Sequence, residues 1–170
     1  GVQQGRHERP VISQGCTVSV QEPPQPGGVA CQRPAQLLDT CGPKGSLAPG
    51  EIITLTAGDA VGATPPISAF FGDKPTIEFM NLMGFDLDGL GNHNFDRGEQ
   101  YFRNEIVPLA AFDYLSANIV DDAGRTPPEW AKSKVFTIEP GLRVGFVGFS
   151  NPDIPELTKP GSLGPFHVAD

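Results

Sequence analysis

Short apolar runs, each closed by a small polar cluster, set the pattern of this chain. The run Ile52-Ile53-Thr54-Leu55-Thr56-Ala57 is β-branched and uninterrupted, and it ends in Gly58-Asp59. Such a run predicts a buried strand of the parallel type. A second run, Phe85-Asp86-Leu87-Asp88-Gly89-Leu90, predicts a short strand that delivers Gly91-Asn92-His93-Asn94-Phe95-Asp96. Between them, Lys74 to Met83 has helical spacing. Ile77, Met80 and Met83, with Phe79 and Leu82, predict a wide apolar face for that helix. Asp73 is placed to cap its start, Pro75 is tolerated in the first turn, and Gly84 supplies the stop. Strand, polar turn, helix, strand, polar turn is the order of an α/β fold. Sites in such folds form at the carboxyl ends of parallel strands. Asp59 and the Asn92/His93 pair are therefore expected side by side at one sheet edge.

The remaining pattern is weaker. Pro66 to Phe71 predicts one or two helical turns. A helix is expected from Asp96 through Val107, with Tyr101, Phe102 and Ile106 inward and Pro108 after its end. Asp113 to Ile119 predicts a strand, and Trp130 a packing anchor. Lys134 to Glu139 and Leu142 to Phe149 flank Pro140-Gly141 and predict a hairpin. The tail from Asn151 carries Pro152, Pro155, Pro160 and Pro165 and reads as loop, with His167 incidental. Residues 1–50 are dense in Gly, Pro and Gln, with one strand expected near Thr17–Val20. The expected organisation is an irregular segment over 1–50 and an α/β domain over 51–170.

Composition narrows the picture. At 170 residues the chain is one domain's worth. A net charge of −8 argues against a general nucleic-acid or anionic-membrane surface. No apolar run is long enough to span a bilayer. Cys16, Cys31 and Cys41 all lie in the first quarter, and an odd number cannot all pair within the chain. One disulfide with one free thiol is open to them, and their pairing is not fixed by the sequence.

The polar clusters suggest metal chemistry. Asp, Asn and His offer carboxylate oxygen, amide oxygen and imidazole nitrogen, a set that suits Zn, Mn, Fe or Mg. Taken singly, each cluster is ordinary. A Gly-Asp after a strand is usually a turn or a helix cap, and a His beside Asn is usually hydrogen-bonded structure. Their joint order changes the weighing. Thr54 to Ala63, Pro75-Thr76-Ile77-Glu78 with Met80 to Gly84, Gly91 to Gly98, and Leu115-Ser116-Ala117-Asn118-Ile119 resemble, in order and spacing, the N-terminal part of the calcineurin-like metallophosphoesterase domain of the 5'-nucleotidase family. The resemblance covers roughly residues 50–150. It implies a layered sheet with flanking helices, and hydrolysis of nucleotide phosphomonoesters with two divalent metal ions, Zn, Mn or similar. Asp59 would bridge the metals and Asn92 would ligate one. His93 would meet the phosphoryl group, with Asp96 orienting its ring. Asn94 stands where the family usually has Glu.

Two departures qualify that expectation. The family opens on a strand ending in Asp-x-His, which would fall near Cys16-Thr17-Val18 and is absent. Complete members also continue into further His ligands and a nucleoside-binding domain beyond the equivalent of Asp170. The expectation is therefore a partial metallophosphoesterase domain that binds one divalent ion or none. The alternative is an inactive fragment or binding module of the same fold, and an unrelated flavodoxin-like binding domain ranks last. By resemblance the parent protein is secreted, periplasmic or at the cell surface. Its expected partners are nucleotides or other phosphomonoesters, not nucleic-acid polymers.

Overall fold

Three short parallel strands carry the architecture. The computed structural model describes residues 11–13, 16–19 and 52–169, the first two as strand backbone. The strands in chain order are β1 (Val11–Ser13), β2 (Cys16–Ser19), β3 (Leu55–Thr56), β4 (Leu87–Gly89), β5 (Asp113–Leu115), β6 (Ile119–Val120), β7 (Ser133–Glu139), β8 (Leu142–Gly148) and β9 (His167–Val168). The helices are α1 (Pro66–Ala69), α2 (Lys74–Met83), α3 (Glu99–Tyr101) and α4 (Ile154–Leu157). The parallel sheet has the order β3-β4-β5, with Thr56 opposite Asp88 and Asp88 opposite Tyr114. β1, β2, β8 and β7 form an antiparallel sheet in that order, and β6 pairs with β9.

The parallel strands are covered on both faces, which is why they are apolar without strict alternation. On one face Leu87 and Leu115 pack with Phe136, Val144 and Phe146 of the hairpin. On the other, Leu90 and Tyr114 join Ile77, Met80, Phe95, Phe102, Ile106 and Trp130. Phe102 and Tyr114 meet edge-on, 4.9 Å between ring centroids. Trp130 is the expected anchor, buried with its Nε1–H donating to the Ile119 carbonyl at 3.1 Å.

Several expected elements differ. β3 is shorter than Ile52–Ala57, because aspartate side chains replace ladder partners at both ends. Asp86 Oδ2 accepts from Thr54 N at 2.8 Å, and Asp88 Oδ1 accepts from Gly58 N at 3.0 Å. Strand Asp113–Ile119 splits in two: Ser116 N turns to the Ala131 carbonyl and Ala117 N to that of Gly148. The helix expected from Asp96 begins only at Glu99. A 3₁₀ turn, Asn92–Phe95, precedes it, and a π-helical segment, Phe102–Ile106, continues it. Asp73 does not cap α2 with its side chain. It is left-handed (φ 65°), and its carboxylate turns instead to the Thr64 hydroxyl. α2 buries Ile77 and Met80, but Phe79, Leu82 and Met83 point outward, because its packed stripe is one residue row wide. The tail is more ordered than expected, since Ile154 is fully buried in α4 and β9 returns to pair with β6. The hairpin falls where expected, with a bulge at Thr137/Glu139. Of the N-terminal segment, β2 matches the expected strand and β1 adds another. The rest of 1–50, with Cys31 and Cys41, lies outside the described residues.

Candidate active site

Parallel pairing of β3 with β4 places the Gly58-Asp59 turn and the Gly91–Asp96 turn at the same carboxyl edge. The two turns interlock through backbone and side chain. Asp59 Oδ1 accepts from His93 N at 2.8 Å. Asn94 Oδ1 accepts from both Asp59 N, at 3.2 Å, and Gly91 N, at 2.8 Å. Asp59 holds a left-handed backbone (φ 61°), sparsely populated for a residue with a Cβ. Those three bonds hold it there. Gly91 is required at its position, since a Cβ there would lie 2.2 Å from Asp59 Oδ1.

His93 and Asp96 form the second contact of the site, with Nδ1 and Oδ2 at 2.8 Å. Both side chains are about one-third exposed, at 36% and 37%. The bond to Asp96 raises the His93 pKa above its ordinary value, burial opposes the rise, and the Asp96 and Asp59 charges add to it. With Nδ1 occupied, Nε2 is the ring nitrogen left to meet a ligand. Gly62 lies under this pair: a Cβ there would come 2.5 Å from the His93 carbonyl oxygen and 2.7 Å from Asp96 Oδ2. Asn92 opens the 3₁₀ turn between Gly91 and His93. The four residues singled out from sequence, Asp59, Asn92, His93 and Asp96, thus share one sheet edge.

Two residues of this region were missed from the sequence. Asn94 looked like a spectator and instead ties the two turns together, while its Nδ2 is buried without a partner. Asp88 is fully buried on the central strand, one position before the edge. Burial pushes its pKa up to about 7, partly offset by the Gly58 and Gly89 amides and reinforced by the Asp59 charge. Its Oδ2 and the neighbouring-strand Tyr114 hydroxyl are both buried without partners, and burial with the Asp88 charge raises the tyrosine pKa as well. The sequence signal for Asp88 was an acidic residue in the middle of an apolar run. Farther along, Asn118 and Ser150 close a buried network, with Asn118 Nδ2 on the Ser150 carbonyl at 2.8 Å and Ser150 N on Asn118 Oδ1 at 2.9 Å. Asn118 belongs to the Leu115–Ile119 motif, and its role here is to hold β8 against the end of β5.

The bovine (Bos taurus) 5'-nucleotidase is 31% identical over 114 residues, covering 65% of this chain and 20% of that protein. The solved structure of Haemophilus influenzae NAD nucleotidase superposes with a TM-score of 0.59 at 25% identity, over 69% of this chain and 23% of that one. The chain is similar over about two thirds of its length to part of the 5'-nucleotidases. Its fold is part of the metallophosphoesterase domain. The cell wall protein Lmo0130 of Listeria monocytogenes is 31% identical over 121 residues, 62% of this chain and 15% of that protein. No family model matches. The chain thus spans about a fifth of the length of these relatives. The metallophosphoesterase-type neighbours imply divalent metals in a full domain. Among the described residues, however, no three His, Cys, Asp or Glu side chains converge as a metal-holding group. The donor set at the edge is the Asp59 carboxylate, already accepting from His93 N, the Asn92 amide and His93 Nε2, with the Asp96 carboxylate engaged by the His93 ring. It does not fit a two-metal centre.

Proposed function

We propose that this chain carries the phosphoryl-facing part of a nucleotide phosphomonoesterase site. The observation that supports it is the His93–Asp96 pair at 2.8 Å, beside Asp59 on a parallel-sheet edge. An imidazolium held by a carboxylate is suited to a phosphate ester. It can donate a hydrogen bond to a phosphoryl oxygen as charge builds there, or pass a proton to the leaving oxygen. Asp96 fixes the ring so that Nδ1 stays protonated and Nε2 faces the substrate. Asp59 and Asn92 are the ligands this segment would bring to a divalent ion in a complete domain. The substrate class follows the relatives, whose names are 5'-nucleotidase and NAD nucleotidase. Kinship with a cell wall protein supports a place outside the cytoplasm.

A second reading has its own support. With so few donors among the described residues, the same fold would act as a binding module or inactive fragment. Titration calorimetry with Mn or Zn, paired with phosphate release from AMP, separates the readings. The isolated 170-residue chain is expected to bind one divalent ion weakly, if any, and to hydrolyse AMP negligibly. Tight binding of two ions, with turnover abolished by Asp59→Asn, would show that residues outside the described set complete the centre.

A further inference from the structure

Asp73 sets a buried carboxylate between two segments that border the His93–Asp96 pair. It is 2% exposed and holds its left-handed backbone just ahead of α2. A charge taken out of water is costly unless it is paired and hydrogen-bonded. The two oxygens of Asp73 meet different partners, neither of them on α2. Oδ1 accepts from the Thr64 hydroxyl, and Oδ2 lies 3.8 Å from Nε of Arg97.

Both partners stand next to the dyad in the chain. Thr64 closes the short loop that leaves Asp59 and carries Gly62. That glycine is the one at which a Cβ would come 2.5 Å from the His93 carbonyl oxygen and 2.7 Å from Asp96 Oδ2. Arg97 directly follows Asp96. Its guanidinium is steadied from the same side, because Nη2 donates to the Ala69 carbonyl at 2.9 Å and the group lies 5.4 Å from the Tyr101 ring centroid. Tyr101 in turn donates to the Gly72 carbonyl, beside Asp73, at 2.7 Å. The dyad itself is about one-third exposed, which leaves its geometry to the backbone on either side. We infer that Asp73 is a positioning residue for the dyad. One buried carboxylate holds the Gly62 loop through Thr64 and the Asp96 segment through Arg97, and so sets the His93 ring against Asp96. The inference rests on the proposed role of that pair and adds the residue that holds it in place.

The tautomer of His93 reads this position. A neutral imidazole carries its proton on either nitrogen, and the partner of one nitrogen decides which. Ring ¹⁵N NMR of the full chain, at a pH where His93 is neutral and without phosphate, should show a single Nδ1–H tautomer in the wild type. Asp73→Asn tolerates the left-handed backbone and keeps an oxygen for Thr64, but it loses the charge that faces Arg97. Thr64→Val cuts the other arm. Each should replace the single tautomer with a mixture of the two, with an unchanged circular dichroism spectrum. Thr64→Ser keeps the hydroxyl and should keep the single tautomer. So should Lys74→Ala, which removes the neighbouring pair with Glu105. If Asp73→Asn loses its spectrum, Thr64→Val is judged by the same criterion. A single tautomer retained in both cut variants overturns the inference, as does a wild-type ring that already samples both. The phosphoryl-facing reading fails separately, on wild-type His93 resonances that do not respond to added inorganic phosphate.

Discussion

The carboxylate of Asp59 accepts the backbone N–H of His93 at 2.8 Å, across a sequence separation of 34 residues. This contact depends on a third residue. Asn94 accepts from the amides of Asp59 and Gly91 with a single oxygen, so the two turns are joined by a side chain that faces no ligand.

Asn94→Ala should therefore loosen the site without touching the parallel strands. Two amides lose their acceptor at a buried position, which costs about 1–3 kcal/mol when such groups are left unmet. Urea denaturation should show the loss. Hydrogen exchange should show faster exchange at the Asp59 and Gly91 amides while Leu87 stays protected. Unchanged exchange at both amides would remove Asn94 from its proposed role.

Asp88 gives a pH dependence with a definite sign. Its folded pKa, about 7, lies above the ordinary 3.8, so the folded state holds the proton more tightly than the unfolded chain. This contribution is complete below about pH 4 and is lost as pH rises toward 7, amounting to a few kcal/mol at most. Asp88→Asn keeps an oxygen for Gly58 N and cannot ionise. The variant should melt higher than the wild type at pH 8 and about equally at pH 4. Thermal melts at the two values decide it. A variant that melts no higher than the wild type at pH 8 would overturn the assignment.

Much of this was legible in the sequence, for reasons that also explain the failures. The turns after β3 and β4 were readable because an apolar run followed by Gly and a polar residue has few other structural uses. α2 was readable from its spacing, but its exposed side was not. Phe79, Leu82 and Met83 are as apolar as Ile77 and Met80, and periodicity cannot say which stripe finds a partner. Asp88 was illegible because in Phe85–Leu90 it shares alternation with Asp86, as a solvent-facing row would. Strands on both sides and packing on both faces bury it instead. α4 and β9 were hidden by prolines that end in turns rather than in disorder. Asn94 could not be read at all, since its partners are backbone amides brought together only by folding.

The dyad can be tested without turnover. The Asp96 hydrogen bond is the leading cause of the raised His93 pKa, so Asp96→Asn should move the His93 titration down toward the ordinary histidine value near 6.5. Proton NMR of the imidazole resonances follows this directly. An unmoved midpoint would mean that Asp96 does not hold the ring in solution.

Gly62 offers the sharpest contrast with an indifferent position. It has φ +90°, and an added Cβ would meet His93 O at 2.5 Å, Asp96 Oδ2 at 2.7 Å and His93 Cβ at 2.7 Å. Gly124 also has positive φ, +73°, but a Cβ there meets nothing within 4 Å. Gly124→Ala therefore pays only the left-handed backbone cost, about 1–2 kcal/mol. Gly62→Ala adds a clash with backbone that cannot rotate away, so either the loop or the dyad must move. Its loss in urea denaturation should exceed that of Gly124→Ala by about 1 kcal/mol or more. The His93 titration should shift in the first variant and stay fixed in the second. Equal losses with an undisturbed His93 would show that the loop carrying Gly62 does not press on the dyad.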